Sequence, residues 1–165
     1  MRPNRACGAD EEKGVALVEF ALVVPILLVL LLGMLDFGKA LNYWIDETHL
    51  ATSGARLAVV NNWPGKGTTP LSQYIQGLAD TKELRLGGTT SVPNRARVCI
   101  TFPPVGHATP QAGDPVKVTI SVVYHWLPLI SEKLAVAAST VSGQATMRLE
   151  AAGPLGYTNN ECYPA

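Results

Sequence analysis

Glu19 is the side chain whose setting most suggests chemistry, because it lies inside an apolar run long enough to cross a bilayer. The run from Val15 to Leu35 has 21 residues, and Glu19 is its only ionisable side chain. At about 1.5 Å of rise per residue, a helix of this length matches a hydrocarbon core of roughly 30 Å. A carboxylate in such a segment either serves a function or lies at the interface, where it reaches water. The run by itself leaves both interpretations open.

The other residues that could do chemistry form no catalytic pattern. His49, His107 and His125 have no histidine partner four residues away and no carboxylate at the spacing of a metal motif. The sequence contains no Gly-x-Ser-x-Gly turn, no phosphate-binding glycine loop and no Cys-x-x-Cys pair. We therefore expect a protein that is not an enzyme, with no cofactor, no metal site and no small-molecule substrate.

Basic residues flank the apolar run unequally. Arg2, Arg5 and Lys13 precede it, whereas Lys39 is the one basic residue that closely follows it. The positive-inside rule counts Lys and Arg, so it predicts a cytoplasmic N-terminus and an exported remainder from about Asp36 onward. A cleaved secretory signal is disfavoured, because its apolar stretch is shorter, about 7–15 residues, and lacks an early acid.

The three cysteines fall on the two sides of this predicted membrane segment. Cys7 precedes the run, so we expect it to stay reduced, whereas Cys99 and Cys162 follow it and are predicted to lie in an oxidising compartment. A Cys99–Cys162 disulfide is the one intramolecular pairing available there. It would tie the C-terminal tail to the middle of the domain.

Composition agrees with one membrane segment and one small domain. The 165 residues carry 13 basic and 13 acidic side chains, so no basic excess points to nucleic-acid binding.

The helix period continues beyond the apolar run and predicts one long helix from about Val15 to Val60. Pro25 is expected to kink it, and the turn-forming stretch Asn61–Pro70 is expected to end it. The predicted buried face of its second half consists of Phe37, Ala40, Leu41, Trp44, Ile45, Ala51, Ala55 and Ala58. The predicted polar side consists of Asn42, Asp46, Glu47, Thr52, Ser53 and Arg56.

The remaining patterns predict a second helix and a small sheet. Thr69 as N-cap and Pro70 as first residue open a helix to about Lys82. Alternating apolar residues then predict strands in Arg97–Pro103, Pro115–Trp126 and Ser139–Glu150. Three antiparallel strands need a cover for their apolar face, and the amphipathic half of the long helix can supply it. The expected fold is α+β, with a membrane-spanning N-terminal helix whose C-terminal half packs on a small antiparallel sheet.

The start of the apolar run resembles a known processing signal. Gly14 ends a short polar leader, Glu19 is the fifth residue after it, and Phe20 leads into unbroken apolar sequence. This arrangement is similar to the class III signal of type IV pilins, in particular Flp-type prepilins and pseudopilins. The stretch from Val18 to Gly38, VEFALVVPILLVLLLGMLDFG, with TSGARLAVV and ATMRLE further on, resembles the TadE-like family of tight-adherence systems.

The resemblance implies a minor pilin or pseudopilin, cut by a prepilin peptidase between Gly14 and Val15. The new α-amine would be charged at neutral pH, and Glu19, one helical turn away, would pair with it or with the amine of a neighbouring subunit. The implied partners are the membrane, crossed once, the peptidase and other pilins, and the implied location is the bacterial inner membrane.

The chain then divides into a cytoplasmic leader (1–14), a transmembrane helix (15–36) and an exported pilin-like domain (37–165). The alternative is a signal-anchored envelope protein with an exported binding or scaffold domain and no role in a pilus.

Overall fold

The structure is a computed structural model that describes residues 8–103, 110–127, 138–150 and 161–164, with side chains from Gly14 onward. The chain forms two compact units, Met1–Gly38 and Lys39–Ala165, and each is described by itself. Cys7, His107 and the first seven residues of the predicted leader lie outside the described residues.

Helix α1 extends over Gly8–Val60, so it begins seven residues before the predicted start at Val15. The added segment, GADEEKG, contains Ala, Glu and Lys, which favour helix, and acids near a helix N-terminus are favourable. Pro25 lies inside this continuous helix. The predicted kink at Pro25 stays a prediction. Helix α1 ends as expected at Val60, and Asn61, which follows, has a positive φ of 52°, a conformation that Asn tolerates well after a helix.

The single helix predicted for Pro70–Lys82 is in fact two short helices. Helix α2 covers Leu71–Gly77 with Pro70 as its N-cap, and helix α3 covers Lys82–Leu86 with Thr81 as its N-cap. Glycine is a poor helix former, and Gly77 ends the first helix.

The sheet has four antiparallel strands in the order β3-β2-β1-β4, where three were predicted. The strands are β1 (Arg97–Thr101), β2 (Pro115–His125), β3 (Ala138–Arg148) and β4 (Glu161–Tyr163). The unpredicted strand β4 has three residues, too few for an alternating pattern to reveal it.

The alternation from which strands β1 and β2 were predicted is confirmed by their burial. Val98 and Ile100 of β1 are buried, and so are Val116, Val118, Ile120, Val122 and Tyr124 of β2. The side chains of β3 at Val141, Ala145 and Met147 pack against this core. In the second unit the core also includes α1 residues Ala40, Tyr43, Leu50, Ala51, Ala55, Ala58 and Val59.

Helix α1 crosses β3 at Gly143, within the second unit. A Cβ atom at Gly143 would lie 2.5 Å from the backbone carbon of Glu47 and 2.5 Å from the backbone nitrogen of Thr48. A glycine is therefore needed where the helix backbone meets the strand. The expectation that the second half of the long helix covers the sheet is confirmed.

The predicted faces of that half-helix are wrong in two respects. Leu41, Trp44 and Ile45 were expected to be buried, as was Phe37 of the first unit, but all four are exposed. Asp46 and Glu47 were expected on the polar side, but both are buried. The small Ala residues and Gly54 let the helix approach its neighbours closely, so the contact face follows Ala40, Tyr43, Glu47, Leu50 and Gly54 instead of the largest apolar side chains.

Candidate processing and assembly site

Gly14 and Val15 are consecutive residues of α1, Glu19 lies about one turn further along, and all three are exposed. A Cβ at Gly14 would meet no atom within 4 Å. Because i and i+4 residues of a helix are neighbours, Glu19 lies one turn from the backbone nitrogen of Val15. In the chain as it stands, that nitrogen belongs to a peptide bond inside α1 and carries no charge.

The surface that follows these residues is apolar. One helix among the described residues, Gly14–Val60, is long and apolar enough to cross a membrane, and its most apolar stretch has no buried residues. The exposed side chains include Val15, Leu17, Phe20, Leu28 and Leu35. A surface of this kind is far larger than soluble monomers expose and fits lipid or other apolar helices.

The structure brings Cys99 and Cys162 together as a disulfide. The two cysteines are direct partners in the antiparallel pairing of β1 with β4, and residue Cys99 also lies opposite Thr119 of β2. The bond closes a loop with a sequence separation of 63. It therefore holds the C-terminal strand on the sheet.

A second contact secures the same strand. The Oε1 atom of Glu161 accepts a hydrogen bond from the backbone N–H of Ser72, at 3.1 Å, and another from the Ser72 hydroxyl. Ser72 lies in the first turn of α2, where backbone N–H groups have no partner within the helix. Sequence reasoning missed this contact, since 89 residues separate the two partners.

Asp46 supplies an equivalent contact from α1. Its carboxylate oxygens accept hydrogen bonds from the backbone N–H of Asp80 at 3.3 Å and of Thr81 at 2.9 Å, and from the Thr81 hydroxyl at 2.8 Å. A carboxylate at the start of a helix is stabilising, so Asp46 fixes α3 to the long helix. This role explains why an acid occupies a buried position of α1.

The neighbouring acid, Glu47, has no such partner. Its side chain is fully buried, and neither carboxylate oxygen has a hydrogen-bond partner among the described residues. Burial, and then the nearby charge of Asp46, raise the pKa of Glu47 from 4.5 to about 9. The carboxyl is therefore protonated and neutral at pH 7. The sequence pattern placed Glu47 on the polar side of α1, so it missed these buried surroundings.

The described residues contain no group of three or more His, Cys, Asp and Glu side chains placed to hold a metal ion. His49 is exposed and His125 is half-buried. The backbone N–H of His125 donates to the carbonyl of Ser91 at 2.8 Å, an ordinary loop contact at the end of β2.

Comparison with known proteins gives one match. A family model described as TadE-like protein matches residues 14–56, which begin at Gly14 and end within the part of α1 that packs on the sheet. No match was found among curated proteins or among solved structures. The exposed apolar helix and its glycine–glutamate start lie within the matched range, so residues 14–56 of this chain are similar to TadE-like proteins.

Proposed function

We propose that the chain is a minor pilin or pseudopilin, a non-enzymatic subunit that a tight-adherence pilus machine assembles after a prepilin peptidase cuts it. The observation that carries this proposal is the coincidence of two boundaries at Gly14. The TadE-like match begins at this residue, and the apolar run of the sequence begins at the next one.

The proposed cut breaks the Gly14–Val15 peptide bond by hydrolysis and removes residues 1–14. This bond lies inside α1, so the helix must open locally before the peptidase can reach the backbone. Gly14 favours such an opening, because glycine is about 1 kcal/mol worse than alanine in a helix interior and its position has no packing neighbour within 4 Å. The new helix then starts at Val15.

Glu19 compensates the charge that the cut creates. A protonated α-amine at a helix N-terminus opposes the helix dipole, and a carboxylate one turn away relieves that repulsion. Glu19 is exposed, so its carboxylate is also accessible to the amine of a neighbouring subunit. Pairing between subunits would fix their axial register, which is the best-attested use of an ion pair in an apolar environment.

The distribution of charge and disulfide supports the proposed orientation in the bacterial inner membrane. Arg2, Arg5 and Lys13 precede the span, which favours a cytoplasmic leader. The Cys99–Cys162 bond lies in the unit that follows the span, and disulfides persist in exported domains. The division into residues 1–14, 15–36 and 37–165 follows from this orientation.

Sequencing the N-terminus of protein extracted from membranes tests the processing step. Co-expression with a tight-adherence prepilin peptidase should give a chain that begins at Val15, and a catalytically inactive peptidase should leave Met1 or Arg2 first. A chain that keeps its leader beside the active peptidase contradicts the proposal and favours the alternative, a signal-anchored envelope protein with an exported binding domain.

Glu19→Ala separates processing from assembly. We expect this variant to be cut normally but to leave the subunit in the membrane fraction, and Glu19→Gln, which keeps the size of the side chain, should fail in the same way. Normal recovery of either variant in sheared pili would show that the carboxylate charge has no role in assembly.

A further inference from the structure

We propose that the contact between α1 and β3 closes only when Glu47 is protonated, which makes this part of the second unit sensitive to pH. We call this contact the seam, and it consists of Glu47 and Thr48 of α1 with Gly143 of β3. Acidic pH keeps the seam shut, and rising pH opens it before the rest of the domain unfolds. This inference goes beyond the proposed function, because it requires neither the cut after Gly14 nor assembly into a pilus.

The seam encloses the carboxyl group of Glu47 without a partner. A Cβ atom at Gly143 would lie 2.5 Å from the backbone carbon of Glu47, so helix and strand leave no space for a side chain there. Glu47 is 0% exposed, and neither of its carboxylate oxygens has a hydrogen-bond partner among the described residues. An ionised carboxylate is strongly unfavourable in such a place, and a neutral carboxyl is much less so. The closed seam therefore selects the protonated form.

The elements packed around Glu47 supply no charge that would balance its carboxylate. Burial, and after it the negative charge of Asp46, raise the pKa of Glu47 to about 9. Strand β3 has no titratable side chain from Ala138 to Met147. Tyr43, one turn before Glu47, and Tyr124 of β2 are buried, and tyrosine is uncharged at pH 7. The other charged or titratable side chains near this part of α1 are exposed or half-buried, namely His49 of α1 and Lys82, Glu83 and Arg85 of α3.

Strand β3 is the less firmly held side of the seam. It is an edge strand, so it pairs with β2 on one side only. Its inward side chains Val141, Ala145 and Met147 are partly buried, whereas the inward side chains of β2 are buried. Parts of a domain with fewer buried contacts open at a smaller cost in free energy than its core. We therefore expect β3 to separate from α1 before the core opens.

Helix α1 is held on the domain by contacts outside the seam. The carboxylate of Asp46 accepts hydrogen bonds from the backbone N–H and the hydroxyl of Thr81, at 2.9 and 2.8 Å, where α3 begins. Two turns further along, α1 packs against α2, since a Cβ atom at Gly54 would lie 2.9 Å from the Cδ1 atom of Ile75. These contacts stay in place when β3 separates, so Glu47 can reach water and lose its proton without unfolding of the whole domain.

Proton linkage determines how strongly the seam responds to pH. In the closed seam Glu47 keeps its proton up to about pH 9, whereas a Glu47 exposed to water loses it above pH 4.5. Between these two values closing takes up one proton, so the ratio of open to closed molecules rises about tenfold for each pH unit. The contribution of the proton to closure is complete below pH 4.5 and is lost as the pH rises toward 9.

Labelling of a buried thiol beside the seam measures the opening. Ala51, one turn after Glu47, and Ala58, further along α1, are both 0% exposed. Ala51→Cys and Ala58→Cys are each introduced into the full chain with Cys7→Ser and are labelled with iodoacetamide in detergent micelles between pH 6 and pH 8. Each rate is divided by the rate of the same thiol in the Glu47→Gln chain, which cancels the ionisation of the thiol itself.

We expect this ratio to rise about tenfold per pH unit for Ala51→Cys, because glutamine has no proton to lose. At each pH, Ala51→Cys should also be labelled faster than Ala58→Cys, since a local opening at the seam exposes the first position and leaves the second buried. Leu50→Cys, at a position that is 3% exposed, gives the same comparison if Ala51→Cys does not fold.

Two outcomes would overturn the inference. A ratio that stays constant between pH 6 and pH 8 shows that the proton on Glu47 does not control the seam. Equal labelling rates of Ala51→Cys and Ala58→Cys at every pH show that only unfolding of the whole domain exposes them, so that the seam does not open by itself. Both measurements use the uncut chain, and neither result depends on whether the chain is processed or assembled.

Discussion

Replacing Glu47 with glutamine should make the domain more stable, and the gain should grow with pH. Glu47 is fully buried beside the point where α1 crosses β3, and both of its carboxylate oxygens lack a described hydrogen-bond partner. Burial, with a smaller contribution from Asp46, raises its pKa from 4.5 to about 9. Glutamine has the same shape and is neutral at every pH, so Glu47→Gln removes the titration while keeping the packing.

The sign and size of the effect follow from proton linkage. In the unfolded chain Glu47 loses its proton above pH 4.5, whereas in the folded chain it keeps the proton up to about pH 9. Below pH 4.5 Glu47 therefore makes its full contribution to the free energy of unfolding. Above pH 4.5 the free energy of unfolding falls by up to about 1.4 kcal/mol for each pH unit, until the pH reaches the pKa of Glu47 in the folded chain. By pH 7 the loss is about 3 kcal/mol, a large part of the 5–15 kcal/mol that typical domains have.

Denaturant unfolding of the full chain in detergent micelles measures this prediction between pH 4.5 and pH 8.5. The near-ultraviolet circular dichroism of the contacting rings of Tyr43, Tyr124 and Trp126 reports the folded core. The free energy of unfolding of Glu47→Gln should exceed that of the wild type by about 3 kcal/mol at pH 7 and by little at pH 4.5.

Glu150→Gln is the matched control, because Glu150 is exposed and the same substitution there should leave the pH dependence unchanged. Identical slopes for the wild type and Glu47→Gln would show that Glu47 is not buried as a neutral acid. A Glu47→Gln protein that is less stable at every pH would show that its carboxyl has a partner that glutamine cannot replace.

Two further predictions concern the packing of the sheet. Gly143→Ala should destabilise the domain by about 1–3 kcal/mol, because its Cβ would lie 2.5 Å from helix backbone, while Gly77→Ala, which meets no atom within 4 Å, should cost less than 1 kcal/mol in the same unfolding assay. Equal stability of the two variants would contradict the close crossing of α1 and β3. Cys99→Ser/Cys162→Ser should lower the free energy of unfolding by about 3–4 kcal/mol, since the bond closes a loop of 63 residues. Labelling of both thiols in unreduced native protein would exclude the disulfide.

The strands were predictable because their burial is regular. In β2 every second residue from Val116 to Tyr124 is buried, and this alternation appears directly in the amino-acid types. Strand β4 could not be predicted from such an alternation. Its three residues are held by the Cys99–Cys162 bond and by the contact of Glu161 with Ser72, both of which join distant parts of the chain. Local periodicity carries no information about contacts of that kind, although the position of Cys99 and Cys162 after the predicted membrane segment did indicate a tie between tail and domain.

The buried face of α1 was harder to predict, because the size and polarity of its side chains do not indicate which of them are buried. The helix buries Ala51, Ala55 and Ala58, whose small side chains permit close packing, and exposes Trp44 and Ile45. A pattern that ranks residues by hydrophobicity assigns the larger side chains to the core. That ranking fails here because close approach of the helix to the sheet requires small side chains, and small side chains rank low in hydrophobicity.

Two of the acids of helix α1, Glu19 and Glu47, illustrate two ways of accommodating a carboxylate in apolar surroundings. Glu47 is enclosed by protein, so a proton neutralises it, and its replacement by glutamine should cost nothing and even stabilise the domain. Glu19 is exposed on the helix surface and, in the proposed mechanism, is balanced by an amine that appears after the cut. Glutamine should then abolish assembly at position 19 while improving stability at position 47. Opposite outcomes for one substitution on one helix would separate a carboxyl that only has to be buried from a carboxylate whose charge is required.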